Sequence, residues 1–305
     1  MALNDFSQAA NAAPRNVMIQ AQHIKPKLTP KVDKQPVKIV VPEMNIEAIP
    51  TAMRRMGWTV AAALMERWFA SPEWQMPPEW KTNPNSAGAA LKMNSAQFDE
   101  HIVTMDWALR FERCQDACED VLKMIRTAPA IEQLKKRLEN AGWKQQSEFH
   151  LGSKASSARE IDDTSQVNYL TFGRPWNTLD DMYGALGSAT VKVGLVGDAF
   201  VSSSMKTKLF HATKAGIYIK DQYDFIGKQF LGTWTEDGVL TKKDVLKDAM
   251  FGEVGYPWHG EPIGRVHNEQ FSEYRKNHNR GGDFMIFSDV YWIEINEWLN
   301  LGLVS

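Results

Sequence analysis

Two hydrophobic periods divide the chain. From Asn45 to Gly142 apolar residues recur every three or four positions, and beyond Gln166 they recur every second position. The first spacing lines one stripe of a helix, and the second lines one face of a strand. In IPTAMRRMGWTVAAALMERWFA (49–70), Met53, Met56, Val60, Leu64 and Trp68 form one stripe, with Gly57, Ala61, Met65 and Phe69 beside it. So broad a stripe predicts a helix buried on more than one side, stopped by Pro72, Pro77 and Pro78. A second helix is predicted through MDWALRFERCQDACEDVLKMI, with Trp107, Phe111, Cys114, Cys118, Val121 and Ile125 inward. A third runs through APAIEQLKKRLENAGW, with Leu134 and Leu138 inward and Gly142 as its stop. In HLGSKASSAREIDDTSQ Ser and charged residues replace the repeat; after it ATVKVGLVGDAFVSS, AGIYIKDQYDF and GGDFMIFSDVYWIEI alternate as strands do. Helices come first and strands later, so the expected class is α+β: an N-terminal helical domain followed by a mainly antiparallel β-rich domain. The expected divisions are an arm over 1–45, a helical domain over 46–150, a polar linker or loop over 151–166, and an α+β domain over 167–305.

The arm spaces Pro between Lys25, Lys27, Lys31, Lys34 and Lys38 without a helical period, and reads as an extended linker or as a docking arm for an acidic partner. Over all 305 residues the net charge is −2, which carries no nucleic-acid signature. Eleven Trp residues predict heavy aromatic packing, or a site for a carbohydrate or lipid-like ligand. Cys114 and Cys118, four apart on one helical face, read as small core residues. The first residues lack a basic region followed by an apolar one, and no apolar run is long enough to span a bilayer. The expectation is a protein made in the cytoplasm that leaves it only through another export machine.

Candidate chemistry starts where the strand pattern breaks. Along GIYIKDQYDF, Ile217, Ile219, Asp221 and Tyr223 share one face, so an acid interrupts an apolar surface. On a regular strand Asp224 would point the other way, but a turn beginning at Gln222 would bring the two carboxyls together. Either the strand ends there, with Asp224 shaping a turn over Tyr223, or carboxylates are held against a partly dry surface for catalysis. The basic complement is sought in residues 256–289, of which YPWHGEPIGRVH (256–267) reads as a Gly- and Pro-rich loop. There His259, Arg265, His267 and Arg280 could bind a phosphate or move a proton, and Gly281 and Gly282 could let backbone approach a ligand or simply turn the chain. No dinucleotide fingerprint, phosphate loop, HExxH or GxSxG is present.

The blocks IPTAMRRMGWTVAAALMERWF, VTMDWALRFERC, GIYIKDQYDF with FLGTW, and GGDFMIFSDV resemble, in order, the proteobacterial family catalogued as domain of unknown function 6402. That resemblance implies cargo of type VI secretion: an antibacterial effector exported without a signal peptide into a target cell, possible periplasm included, with a spike protein and a cognate immunity protein as partners. Asp221, Tyr223 and Asp224 are also similar to the Asp-x-Tyr-Asp core of the colicin M family, which cleaves lipid II and requires Mg²⁺; the His-Arg pair that follows that core is absent here. What the second resemblance implies is a metal-assisted hydrolase of an envelope phosphoester. Asp221 and Asp224 would be its metal or base ligands, Tyr223 and His267 catalytic, and Arg265, Arg280 and His259 substrate-binding. The alternatives are a membrane-perturbing toxin using residues 47–140 and a non-toxic secretion adaptor.

Overall fold

A seventeen-residue strand, Thr207–Tyr223, is the spine of the main sheet. In the computed structural model, which describes residues 45–82, 91–144, 148–173, 178–202, 204–241 and 262–303, this spine is β5. The other strands are β1 (Phe98–Asp99), β2 (Phe149–Leu151), β3 (Gln166–Phe172), β4 (Ala189–Ser202), β6 (Phe230–Thr235), β7 (Gly238–Val239), β8 (Pro262–His267), β9 (Phe284–Phe287) and β10 (Tyr291–Leu303). The helices are α1 (Ile49–Arg55), α2 (Thr59–Ala70), α3 (Glu79–Thr82), α4 (Met105–Ala108), α5 (Glu112–Lys123), α6 (Ala128–Asn140), α7 (Ala158–Thr164), α8 (Asp181–Leu186) and α9 (Asn268–His278). The fold is α+β, with helices followed by a β-rich region.

One edge of β5 pairs antiparallel with β4 along its length, from Ser202↔Thr207 to Thr190↔Lys220. The other edge is shared end to end, by β10 opposite Thr207–Ile217 and by β9 opposite Lys220–Tyr223. β3 and β2 pair with the far edge of β4, and β1 adds the parallel pair against β9. A second, three-stranded sheet runs β7-β6-β8.

Alternation decides what each face of β4 and β5 meets. Val191, Val193, Leu195, Ile217 and Ile219 enter the core that also holds Leu64, Trp68, Val121 and Leu134 from the helices. Residues on both sides of 151–166 therefore share one hydrophobic core. That stretch, expected as a polar linker or loop, itself carries α7, opened by a capping box in which Ser157 accepts from Glu160 N and Glu160 accepts from Ser157 N. The expected arm lies outside the described residues except at Asn45.

Two predicted helices are broken. The first becomes α1 and α2, because Gly57 N–H and Trp58 N–H turn back to Arg54 O and Met53 O and close α1 in a Schellman motif. The second becomes α4 and α5, with Phe111 in an extended conformation between them. The third stands as predicted: α6 ends when Gly142 and Trp143 donate to Glu139 O and Leu138 O. Residues 262–267, expected as loop, are β8, which runs directly into α9.

On the other face of the main sheet Lys192, Tyr218 and Lys220 are buried under α7 around one carboxylate, Asp162. Burial works to raise the Asp162 pKa, but the two ammonium groups outweigh it and hold the carboxyl below its ordinary range. Burial also pushes Lys192 down from 10.5 to about 8, only partly offset by Asp162. Tyr218 donates to the same carboxylate at 2.8 Å, and burial drives its pKa well above the usual value.

Candidate functional site

The end of β5 opens onto a cavity of about 510 Å³, within the size range of small-ligand sites. It lies between the last residues of β5, the small sheet, and helices α1, α2 and α8. β5 remains a strand through Tyr223, so the acid at 221 does sit on the apolar face, paired through its backbone to Ile286. Asp221, Tyr223 and Asp224 all line the cavity.

Each of the three has a different situation. Burial raises the Asp221 pKa well above the usual carboxylate value; the Gln222 backbone N–H opposes this, and the charge of Asp224 adds to it. Asp221 therefore holds its proton more tightly than an ordinary carboxyl. Asp224 accepts from Ile226 N–H at 3.0 Å, an Asx turn that reverses the chain toward β6. This is the turn-shaping role the sequence left open for it, and the same turn places it on the cavity with Asp221. Tyr223 is buried, stacked on Phe284 with centroids 5.1 Å apart and edge-on to Phe225; burial lifts its pKa far above the normal phenol value.

The cavity walls are aromatic. Trp58 and Trp234 meet edge to face at 6.3 Å. Trp58 can reach that position because Gly184 of α8 has no side chain: a Cβ there would lie 2.6 Å from the indole. Asp181, also on α8, accepts from Val60 N, Ala61 N and Trp107 Nε1, pinning α8 to the start of α2 and hence to Trp58. Phe225 and Phe271 stack in parallel, 3.7 Å apart, and Trp68 packs edge-on against both.

Asn268, at the start of α9, is 2% exposed and lines the cavity. Its Nδ2 donates to Ile226 O at 3.0 Å, which fixes the amide orientation, and its buried Oδ1 meets no donor. An unsatisfied buried acceptor costs about 1–3 kcal/mol, so this atom needs a partner that the described residues do not supply.

The basic residues are placed elsewhere. Val266 lines the cavity, while its neighbours Arg265 and His267 project from the other face of β8 and gather around Phe230 at the cavity's rim: the guanidinium carbon is 5.5 Å from that ring's centroid and the imidazole centroid 5.1 Å. His267 is the N-cap residue of α9, and its backbone N–H donates to Gln270 Oε1 at 2.7 Å. Arg280 is exposed beyond the opposite end of α9, in a bridge with Pro72. His259 lies outside the described residues. Gly281 and Gly282 serve packing, since a Cβ on Gly281 would lie 2.4 Å from Trp68 and one on Gly282 2.5 Å from Pro72 O. Asp283 beside them is buried, accepting from Trp68 Nε1 and Met76 N at 3.0 Å each and pairing with Arg275.

Among the described lining residues there is no Lys, Arg or His. No group of three or more His, Cys, Asp or Glu among the described residues is placed to hold a metal ion. Asp221 and Asp224 form a two-carboxyl set of the kind that suits Mg²⁺ only when substrate oxygens and water complete the shell.

Reading the sequence missed Trp58, Trp234 and Asn268. The two Trp residues lie inside blocks that carry the family resemblance, MGWTV and FLGTW, which was the available pointer to them. A family model described as a family of unknown function (DUF6402) matches residues 44–303. No curated protein and no solved structure matches.

Proposed function

We propose that this chain, which belongs to the DUF6402 family of unknown function, is an antibacterial effector delivered by type VI secretion, and that the cavity at the end of β5 hydrolyses a component of the target cell's envelope. The delivery route rests on the family resemblance. The chemistry rests on one observation, a desolvated carboxyl, Asp221, facing an aromatic cavity beside a second carboxyl, Asp224.

A carboxyl that holds its proton more tightly than usual can protonate a leaving group, and a nearby carboxylate can accept a proton from water. Asp221 takes the first role and Asp224 the second. Tyr223 acts as a positioning residue, holding the strand end against Phe284. For a lipid II-like phosphoester, positive charge must reach the phosphoryl oxygens. The cavity's described lining offers none, so Mg²⁺ held by Asp224 together with substrate oxygens and water would supply it, leaving the Asp221 carboxyl to serve as the acid. Arg265 and His267, at the rim, would meet a part of the substrate outside the cavity.

The membrane-perturbing reading has less behind it. The apolar faces of α2, α5 and α6 are spent in the shared core, and no helix among the described residues is long and apolar enough to cross a membrane. The test is expression of wild type, Asp221→Asn and Asp224→Ala in the cytoplasm and, separately, the periplasm of a sensitive bacterium. Killing is expected from the periplasm alone, with viability restored at least a hundredfold by Asp221→Asn. Undiminished killing by both variants removes these carboxyls from the mechanism. No killing in either compartment, with spike binding retained, identifies a secretion adaptor.

A further inference from the structure

We infer that the cavity beside Trp58 and Trp234 binds an uncharged, hydroxyl-bearing saccharide, and that it recognises this part of its ligand rather than a phosphate. The inference rests on the hydrolytic reading of the cavity and names what enters it.

Three observations converge. First, the cavity combines aromatic walls, Trp58, Trp234 and Phe271, with polar groups, Asp221, Asp224 and Asn268 among them. The C–H faces of a sugar ring pack on such walls while its hydroxyls meet the polar groups. Second, one of those polar groups lacks a partner: the buried Asn268 Oδ1 meets no donor, and the same lining offers the carboxyls of Asp221 and Asp224, the amides of Gln222 and Gln229 and the hydroxyls of Tyr183 and Thr241. Sugar hydroxyls both give and take hydrogen bonds, so they can meet the Asn268 oxygen and this mixed set alike. Third, the described lining holds no cation, so in the absence of a metal ion an anion drawn into the cavity would lose its water without gaining a counter-charge.

Tryptophan emission reports on the cavity directly, since Trp58 and Trp234 line it. The full chain is titrated with N,N′-diacetylchitobiose as the neutral probe, farnesyl pyrophosphate as the anionic one and choline as the cationic one. A saturable response to the disaccharide, at least tenfold tighter than to either charged probe, is expected. Asn268→Leu and Asp221→Leu should each weaken it at least tenfold, and Asp221→Asn, which keeps a hydrogen-bonding group of the same shape, should recover most of that loss. Because Asn268 also holds the Ile226 carbonyl, its variant is accepted only if its melting transition is intact; the Asp221 pair carries the comparison otherwise. No saturable response to the disaccharide, or tighter binding of a charged probe, overturns the inference. Disaccharide binding by a protein that arrests no growth from the periplasm supports the inference and removes the hydrolytic reading.

Discussion

The ammonium group of Lys192 and the carboxylate of Asp162 meet at 2.6 Å, in a place where neither side chain is more than 4% exposed. Lys220 shares the same carboxylate at 2.7 Å, so two cations are buried against one anion. Such a cluster is costly to form and more costly to break.

Its imbalance predicts a pH dependence of stability. The folded pKa of Lys192, about 8, lies below its ordinary 10.5, so between these values the unfolded chain binds more protons. This group's contribution to stability should rise with pH through that window, by on the order of 3 kcal/mol. Asp162 behaves oppositely: its folded pKa is depressed, so its contribution is present above about 3.8 and fades as pH falls below it. Urea midpoints from pH 7 to 10 should climb for wild type and stay flatter for Lys192→Met; equal slopes would falsify this account.

Asp162→Ala leaves Lys192, Lys220 and the Tyr218 hydroxyl without their common partner. A loss of about 3–5 kcal/mol is expected, measured as a drop in denaturation midpoint at unchanged m-value. Paired replacement of Asp162 and Lys192 by Leu and Met should cost less than Asp162→Ala alone.

At the cavity, Gly184→Ala drives a methyl group into Trp58. We expect about 1–3 kcal/mol of destabilisation and altered tryptophan emission. Unchanged stability and emission would mean that Trp58 is not held by this contact.

Asp224→Ala removes both an Asx-turn hydrogen bond and a negative charge that helps to raise the Asp221 pKa. The stability cost should be about 1 kcal/mol, and the Asp221 titration should move down, toward the ordinary carboxylate range. Carbon-detected NMR of the aspartate carboxyls follows this directly; an Asp221 titration that stays in place or moves up counts against the coupling.

Much of the scaffold could be read before the structure because its signals are local. α6 is written in Leu134, Leu138 and the Gly142 stop, and β4 and β5 in their strict alternation. Asp221 was visible as an acid out of pattern for the same reason. The breaks at Gly57 and Phe111 were not, because an apolar stripe continues across them and only the Schellman bonds and the extended Phe111 end the helices. α9 was hidden by a different ambiguity: FSEYRKNH is polar on most of its surface, and its helical face is defined by what Phe271, Tyr274 and Arg275 bury against.

The sequence by itself determined which residues share a face of each helix and strand, because that depends only on backbone period, and it identified the family. What covers each face was decided by tertiary structure. Lys192 and Lys220 alternate with Val and Ile as solvent-facing residues of a strand would, yet α7 closes over them and turns them into a buried cluster. Arg265 and His267 looked like the basic half of a site around Asp221, but strand geometry sends Val266 inward and sends them to the rim. The cavity itself comes from contacts between residues more than a hundred positions apart, such as Trp58 with Trp234 and with Gly184, and no local pattern encodes such a meeting.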